Sequence, residues 1–517
     1  MAGRIIEHTD YTGAKTISAD VCIIGSGCGG ATLAKRLADL GLNVVVVEQG
    51  GYYPAHKMDQ NELNMAGKIS AERNFDTSAD GGTTLSYGAN VGGASVHYWA
   101  DSYRTPADRL DLWRDGYGVE GHGLSELEPA WDEIERNLNI HEAEDEYFNR
   151  MNQLLRDGSQ RLGWKGHRVP QARKFCQKSG HCMQGCLYDA KQSQAVVHLP
   201  MAMEKGADVY ADCMARNFVH AGGKVVALEA LAMNRATNRP TNTVLRFEAK
   251  AFAVAAGGFN SPAFLLQQDF ASSLPALGKH FSMNPSAMVH ALFEERIELW
   301  RNIPAAWGVE EFRLARYDRA GVYREGGYLL VANQIQPGLL GAILPGFGAD
   351  HAEWMASLPS FGGTIGWIDD HPDELGEIIV KDGRRKVNYT YGPITQKILR
   401  DLLKKQVMVL REAGARRIMI GDYSGTEIRS DADMKLIDDM PISAGGLLLA
   451  APHPGGGCRM GKDAATSVVG SDHRVHGFSN LFVADSSVFP TPVSLDPSLT
   501  IMGFSYVAAQ HIHDALH

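Results

Sequence analysis

Three patterns in this 517-residue chain put reactive or ligand-binding residue types at spacings that chemistry uses. Gly25, Gly27 and Gly30 form G-x-G-x-x-G, and Glu48 closes the next apolar run. In such a pattern the first glycine permits a tight turn, the second lets a pyrophosphate approach the backbone and the third allows close helix packing, while the acidic residue accepts hydrogen bonds from ribose hydroxyls. The pattern points to a dinucleotide but does not separate FAD from NAD. Cys176, Cys182 and Cys186 form C-x5-C-x3-C. Three clustered thiolates match the needs of a [3Fe-4S] cluster, whereas structural zinc wants four ligands and His181 adjoins Cys182; free structural thiols are the other reading. His453 stands in HPGGGCRMG. A neutral imidazole near pH 7 accepts a proton well, although a histidine beside glycines is more often structural.

The elements that must position these residues are legible in outline. Asp20 to Gln49 reads as strand, glycine turn, helix and strand, and the two β-branched runs VCIIG and VVVVE suit a parallel sheet buried on both faces. AFAVAAGGFNSPAFLLQQ predicts a second strand-turn-helix. From Met283 to Ser430 the sequence turns mixed polar and aromatic, with Trp300, Trp307, Trp354 and Trp367, which predicts an antiparallel sheet with loops. Leu399, Leu402, Leu403, Val407 and Leu410 recur at helical spacing before Gly414, as a core-facing stripe does. The fold class expected is α/β, a Rossmann-like doubly wound domain with a mixed or antiparallel substrate domain. The expected division is 1–110, 195–284 and 431–517 for the nucleotide domain, 111–194 for a connecting segment with the cysteine motif, and 285–430 for the substrate domain.

Composition narrows the partners. Asp and Glu total 60 against 50 Lys and Arg, a formal charge of -10, which argues against nucleic acid. No run approaches the roughly 18 apolar residues of a membrane span, and the first twenty residues lack a secretory pattern. Seven cysteines in such a length are too sparse for a disulfide scaffold, so a cytoplasmic location is expected, with co-export alongside a partner left open.

HPGGGCRMG (His453 to Gly461), LFVADSSVFPTPVSLDPSLTIM (Leu481 to Met502), GANVGGASVHYW (Gly88 to Trp99) and AAGGFNSPAFLLQ together resemble the glucose-methanol-choline (GMC) oxidoreductases, nearest in look to the cholesterol-oxidase-like and bacterial FAD-linked alcohol and sugar dehydrogenase branches. The resemblance implies a two-domain FAD enzyme that oxidises an alcohol, with sugars and cyclic or steroid-like alcohols as the candidate classes, hydride passing to flavin N5 and the proton to His453. It implies that Gly25, Gly27, Gly30 and Glu48 hold the ADP half, that Gly92, Gly93 and Ser95 lie along the isoalloxazine or pyrophosphate, and that Asp485 and Pro497 belong to the same site. Turn or cap chemistry is the alternative for Ser95 and Asp485. His97 matches the position that carries a covalent flavin link in pyranose oxidases.

Asp496 departs from the pattern, since family members mostly carry Asn or His there. An ionised Asp only accepts hydrogen bonds, so Asp496 would orient the hydroxyl or hold a protonated His453; capping of the following helix is the alternative. Family members with a [3Fe-4S] cluster share a similar cysteine spacing, with electrons passing towards a cytochrome. The acceptor is otherwise open among oxygen, a quinone and an electron-transfer protein. The competing readings are a GMC-scaffold lyase or decarboxylase, and a flavoprotein subunit of an electron-transfer complex.

Overall fold

The computed structural model describes residues 2–517 as two eight-stranded sheets with helices packed on them. In the first sheet the strands run in the order Ile5–Ile6, Asp208–Tyr210, Val44–Val47, Lys15–Ile24, Arg239–Val254, Lys224–Asn234 and Cys213–Ala221, and Leu481–Val483 also pairs with Arg239–Val254. Pairings from Ile5–Ile6 through Arg239–Val254, and that of Leu481–Val483, are parallel. The two remaining strands form an antiparallel meander with Arg239–Val254. All four valines of Val44–Val47 are buried, as expected of a parallel strand covered on both faces.

Helices Cys28–Asp39 and Ser498–Leu516 pack together beside this sheet. The first of these helices comes so close to the end of Leu481–Val483 that it needs a bare backbone at Gly29, where a Cβ would fall on the Ala484 carbonyl.

The second sheet runs Thr83–Leu85, Leu449–Ala451, Ser286–Leu292, Phe361–Ile368, Tyr328–Ala332, Trp307–Val309 and Gly166–Arg168, with Arg417–Ile420 also on Ser286–Leu292. It is antiparallel except for the pairing of Thr83–Leu85 with Leu449–Ala451. Thr83–Leu85, Gly166–Arg168 and Leu449–Ala451 come from outside the stretch 285–430, so the sheet is assembled from distant parts of the chain. Helix Pro393–Glu412 covers it with Leu399, Leu402, Leu403, Val407 and Leu410 fully buried, the stripe that the spacing predicts. Burying each such side chain contributes about 1.5–3 kcal/mol. Leu402 lies over Gly366, where a Cβ would come 2.5 Å from its Cδ1. No described helix is long and apolar enough to cross a membrane.

Candidate active site

The first glycine loop opens where Lys15–Ile24 ends. Gly25 has φ +101°, and a Cβ there would fall on the Ala255 carbonyl; at Gly30 a Cβ would fall on the carbonyl oxygen of Gly25. Gly27 differs. Its φ of −73° suits any residue, and a Cβ on it would meet only Gly93 Cα, at an ordinary 3.8 Å. Neither backbone strain nor protein packing demands glycine at 27. Its bareness, at the N-cap of Cys28–Asp39, suits phosphate groups approaching free helix amides.

The second glycine loop lies against the first. A Cβ on Gly93 (φ +56°) would come 2.8 Å from Gly27 Cα. Ser26, a residue with no motif signal of its own, joins the two: its Oγ donates to Glu48 Oε2 at 2.7 Å and accepts from Gly92 N at 3.0 Å. Glu48 also accepts from Ser26 N at 3.1 Å and Gly50 N at 2.9 Å. Burial pushes the Glu48 carboxyl up, and these donors pull it back.

Ser95 and Asp485 both make hydrogen bonds within turns of the chain. Ser95 Oγ donates to Gly92 O at 2.6 Å and accepts from Gln194 N at 2.9 Å. The buried Asp485 accepts from Gly257 N and Ser487 N, both at 2.8 Å, and from Ser261 Oγ, which ties the ends of two adjacent parallel strands. His97 closes the turn Gly93–Val96, and its Nε2 is buried without a partner. Burial, with the nearby Lys191 ammonium, lowers this imidazole to about 4, so it is neutral at pH 7.

The cysteine trio calls for a correction. Cys176, Cys182 and Cys186 do not come together as a ligand set, and among the described residues no group of three or more His, Cys, Asp or Glu is placed to hold a metal ion. Cys182 Sγ instead accepts from Arg173 Nη1 and Cys186 Sγ from Lys191 N, both at 3.4 Å. Burial raises the Cys176 thiol, which favours its protonated form. The physical reason for the mismatch is that the segment's buried charges are Arg173 and Lys191, and the sulfurs pack around them. Lys191 Nζ donates to Val96 O and Cys182 O at 2.6 Å and Tyr98 O at 3.0 Å, pinning the second glycine loop from below.

Burial lowers Lys191 to about 8. The unfolded chain keeps this proton to higher pH, so between pH 8 and 10 the unfolded state binds more protons and rising pH stabilises the folded state. The stability of the wild type relative to Lys191→Met is therefore expected to rise by about 2 kcal/mol over that interval in urea titrations. A flat difference would place the lysine in a solvated site.

His453 follows the strand Leu449–Ala451 in a loop whose glycines are sterically required. A Cβ on Gly456 (φ +76°) would fall on the His280 carbonyl, and one on Gly457 (φ +84°) would lie 2.8 Å from Pro262 Cγ. Gly455 pairs with Ser282 by two backbone hydrogen bonds, bringing Asn284 beside the histidine. His453 Nδ1 lies 2.8 Å from Asn284 Oδ1, and His453 Nε2 lies 3.3 Å from Asp496 Oδ1. The Trp367 ring meets the imidazole edge-on at 5.2 Å. Asp496 is buried, its Oδ2 has no partner, and helix Ser498–Leu516 begins without a side-chain cap, so Asp496 is free of the capping role. Asn284, His453, Phe489, Thr491, Leu495 and Pro497 line one narrow cleft. Arg109 fixes its far wall, donating to Thr491 Oγ1 at 3.0 Å, Pro492 O at 2.7 Å and Asp369 Oδ2 at 2.6 Å.

Behind Asp496, Tyr103, Trp367, Leu329, Val331 and Leu495 form a compact apolar cluster in which the Tyr103 hydroxyl and the Trp367 indole N–H have no partner. Asp101, also buried, has its carboxyl held well above the usual range by burial and by the Asp496 charge. Ser26, Asn284, Asp101 and Arg109 were not singled out in the sequence. Only Asn284, in SMNPSA, sits near a segment read as a boundary.

A parallel-sheet nucleotide cradle joined to an antiparallel sheet, with an imidazole in the cleft beside their junction, defines a dinucleotide-dependent oxidoreductase. The GMC oxidoreductase profile matches residues 20–286 and 381–505, and the chain belongs to this family, whose members bind FAD. Similar proteins include an uncharacterized GMC-type oxidoreductase of Mycobacterium tuberculosis, 27% identical over 95% of this chain and 75% of that one. The long-chain-alcohol oxidase FAO3 of Arabidopsis thaliana is 24% identical over 96% of this chain and 68% of that one. Among solved structures, pyridoxine 4-oxidase from Mesorbium loti superposes with a TM-score of 0.71 at 17% identity, covering 96% of this chain and 99% of that one, which establishes the shared fold.

Proposed function

We propose that this chain oxidises the CH–OH group of a ring-bearing alcohol to the carbonyl, with His453 and Asp496 handling the hydroxyl proton. The observation that carries the reading is the contact of His453 Nε2 with Asp496 Oδ1 at 3.3 Å, beside the cleft that His453, Leu495 and Pro497 line. FAD, when bound, supplies the hydride acceptor. Support for its seat comes from the bare Gly27 at a helix N-terminus, the interlocked loop of Gly92 and Gly93, the Glu48 carboxylate near them, and the unpartnered neutral nitrogen of His97. Pro497 would close that seat beside the imidazole.

The roles of the chain's own groups follow from their charge. The imidazole takes the hydroxyl proton and the Asp496 carboxylate stabilises the imidazolium that forms, so negative charge on the substrate oxygen develops beside a cation. The buried cluster of Tyr103, Trp367, Leu329 and Val331 backs the site and keeps water from Asp496, while Leu495 and the Phe489 ring line the cleft itself, which supports a cyclic or aromatic alcohol. The acceptor that reoxidises the flavin is not specified by these residues.

The test is anaerobic mixing of the holoenzyme with panels of cyclic, aromatic and long-chain alcohols, sugars and steroids. Loss of the flavin absorbance with a ring-bearing alcohol is expected, and no bleaching by any alcohol would overturn the reading. In the same assay Asp496→Asn is expected to keep its flavin and move the acidic limb of the kcat/KM profile to lower pH, because the imidazolium loses its counter-charge. An unchanged profile would count against a role for Asp496.

A further inference from the structure

We infer that Asn284 is a positioning residue that fixes the proton of His453 on Nδ1 and so keeps Nε2 available as the base. This rests on the reading of His453 as the proton acceptor and names the residue that makes it competent.

The amide of Asn284 is oriented by its surroundings. Its Nδ2 donates to Ile368 O at 2.6 Å, a carbonyl that can only accept, so Oδ1 is the atom turned to the imidazole. Oδ1 is itself only an acceptor, and at 2.8 Å from His453 Nδ1 it requires a proton on that nitrogen.

The backbone of Asn284 is held as firmly. It is 3% exposed and adopts φ +49°, a conformation asparagine tolerates better than most residues. Its N–H donates to Asp370 Oδ2 at 2.7 Å, and Asp370, buried, also accepts from the Tyr389 hydroxyl.

Without this constraint the neighbouring carboxylate would select the wrong tautomer. Asp496 Oδ1 lies 3.3 Å from Nε2, an ion-pair contact rather than a hydrogen bond, and its negative charge favours a proton on that nitrogen, so a neutral imidazole left to itself would carry its proton on Nε2. That tautomer has no lone pair facing Asp496 and the cleft and cannot take a proton from an alcohol there. With Nδ1–H committed to Asn284, neutral His453 presents its Nε2 lone pair toward a carboxylate, an unfavourable meeting that a proton arriving from the substrate relieves. The atoms balance simply: the O–H bond breaks, the N–H bond forms at Nε2, and the imidazolium then donates to Asn284 on one side and pairs with the Asp496 charge on the other.

Two variants separate this role from a structural one. Asn284→Gly keeps the left-handed backbone and removes the acceptor, whereas Asn284→Asp keeps an acceptor of the same shape and adds charge. In holoenzyme with 15N-labelled histidine, assigned by difference from His453→Gln, wild type is expected to show a protonated Nδ1 and a bare Nε2 at high pH, and Asn284→Gly the reverse. Anaerobic flavin reduction is expected to slow by about 100-fold in Asn284→Gly with flavin retained and KM little changed. Asn284→Asp is expected to recover most of the rate, with the acidic limb moved to higher pH. Reduction by Asn284→Gly at the wild-type rate, or an unchanged tautomer in that variant, would overturn the inference. Should no alcohol reduce the wild-type flavin, the proposed reaction falls, and the nitrogen shifts still decide the tautomer.

Discussion

His453→Ala is expected to retain its flavin and to lose about 10²- to 10⁴-fold in the rate at which an alcohol reduces it. The ring touches Asn284, Asp496 and Trp367, and the glycine loops around Gly27 and Gly93 are built without it, so the cradle should survive. What disappears is the acceptor for the hydroxyl proton, and Asp496 is left with no imidazolium to stabilise when that proton leaves. Stopped-flow reduction under nitrogen, read against flavin absorbance per polypeptide, gives rate and occupancy separately. A variant that reduces its flavin within a few-fold of wild type would remove His453 from the chemistry.

Gly30→Ala is expected to act at the other end of the site. Its Cβ would fall on the carbonyl oxygen of Gly25, a backbone atom that no rotamer change can clear. Either the helix Cys28–Asp39 retreats or the turn at Gly25 opens, and Gly25 is itself locked against Ala255. Overpacking of this kind costs about 1–3 kcal/mol, and the displaced turn is the one that must meet the pyrophosphate. The protein should purify largely without flavin and melt several degrees below wild type. Yellow protein with unchanged melting would show that the loop has slack that its geometry denies.

The parallel sheet and the helix over 393–412 were legible because their signals are local: continuous β-branched runs, glycines at fixed offsets, leucines at helical spacing. His453 and Asp496 were legible as residue types within motifs, and the structure brings them together although 43 positions separate their numbers. The contacts that tune them were not. Asn284 meets His453 across 169 residues and Arg109 meets Thr491 across 382, pairings that only the folded chain creates. The cysteine spacing misled for the converse reason. C-x5-C-x3-C is compatible with a ligand set, but spacing does not say which way three side chains turn, and here Cys182 faces the buried Arg173 guanidinium and Cys186 the Lys191 backbone N–H. Asp496 read equally as a cap, because Asp before Pro at a helix start is common; only the absence of an acceptor contact with the helix separates the two roles.

The long strand Arg239–Val254 has one further consequence. One of its edges is shared, with Lys224–Asn234 on the first part and Leu481–Val483 on the last three residues. A nascent chain that has not yet been synthesised past residue 480 therefore carries Phe252, Ala253 and Val254 as a bare apolar rim with open amides and carbonyls, the kind of surface on which unfinished copies stick to one another. The same final stretch delivers Asp496 to His453, so covering that rim and closing that contact depend on one late-synthesised segment.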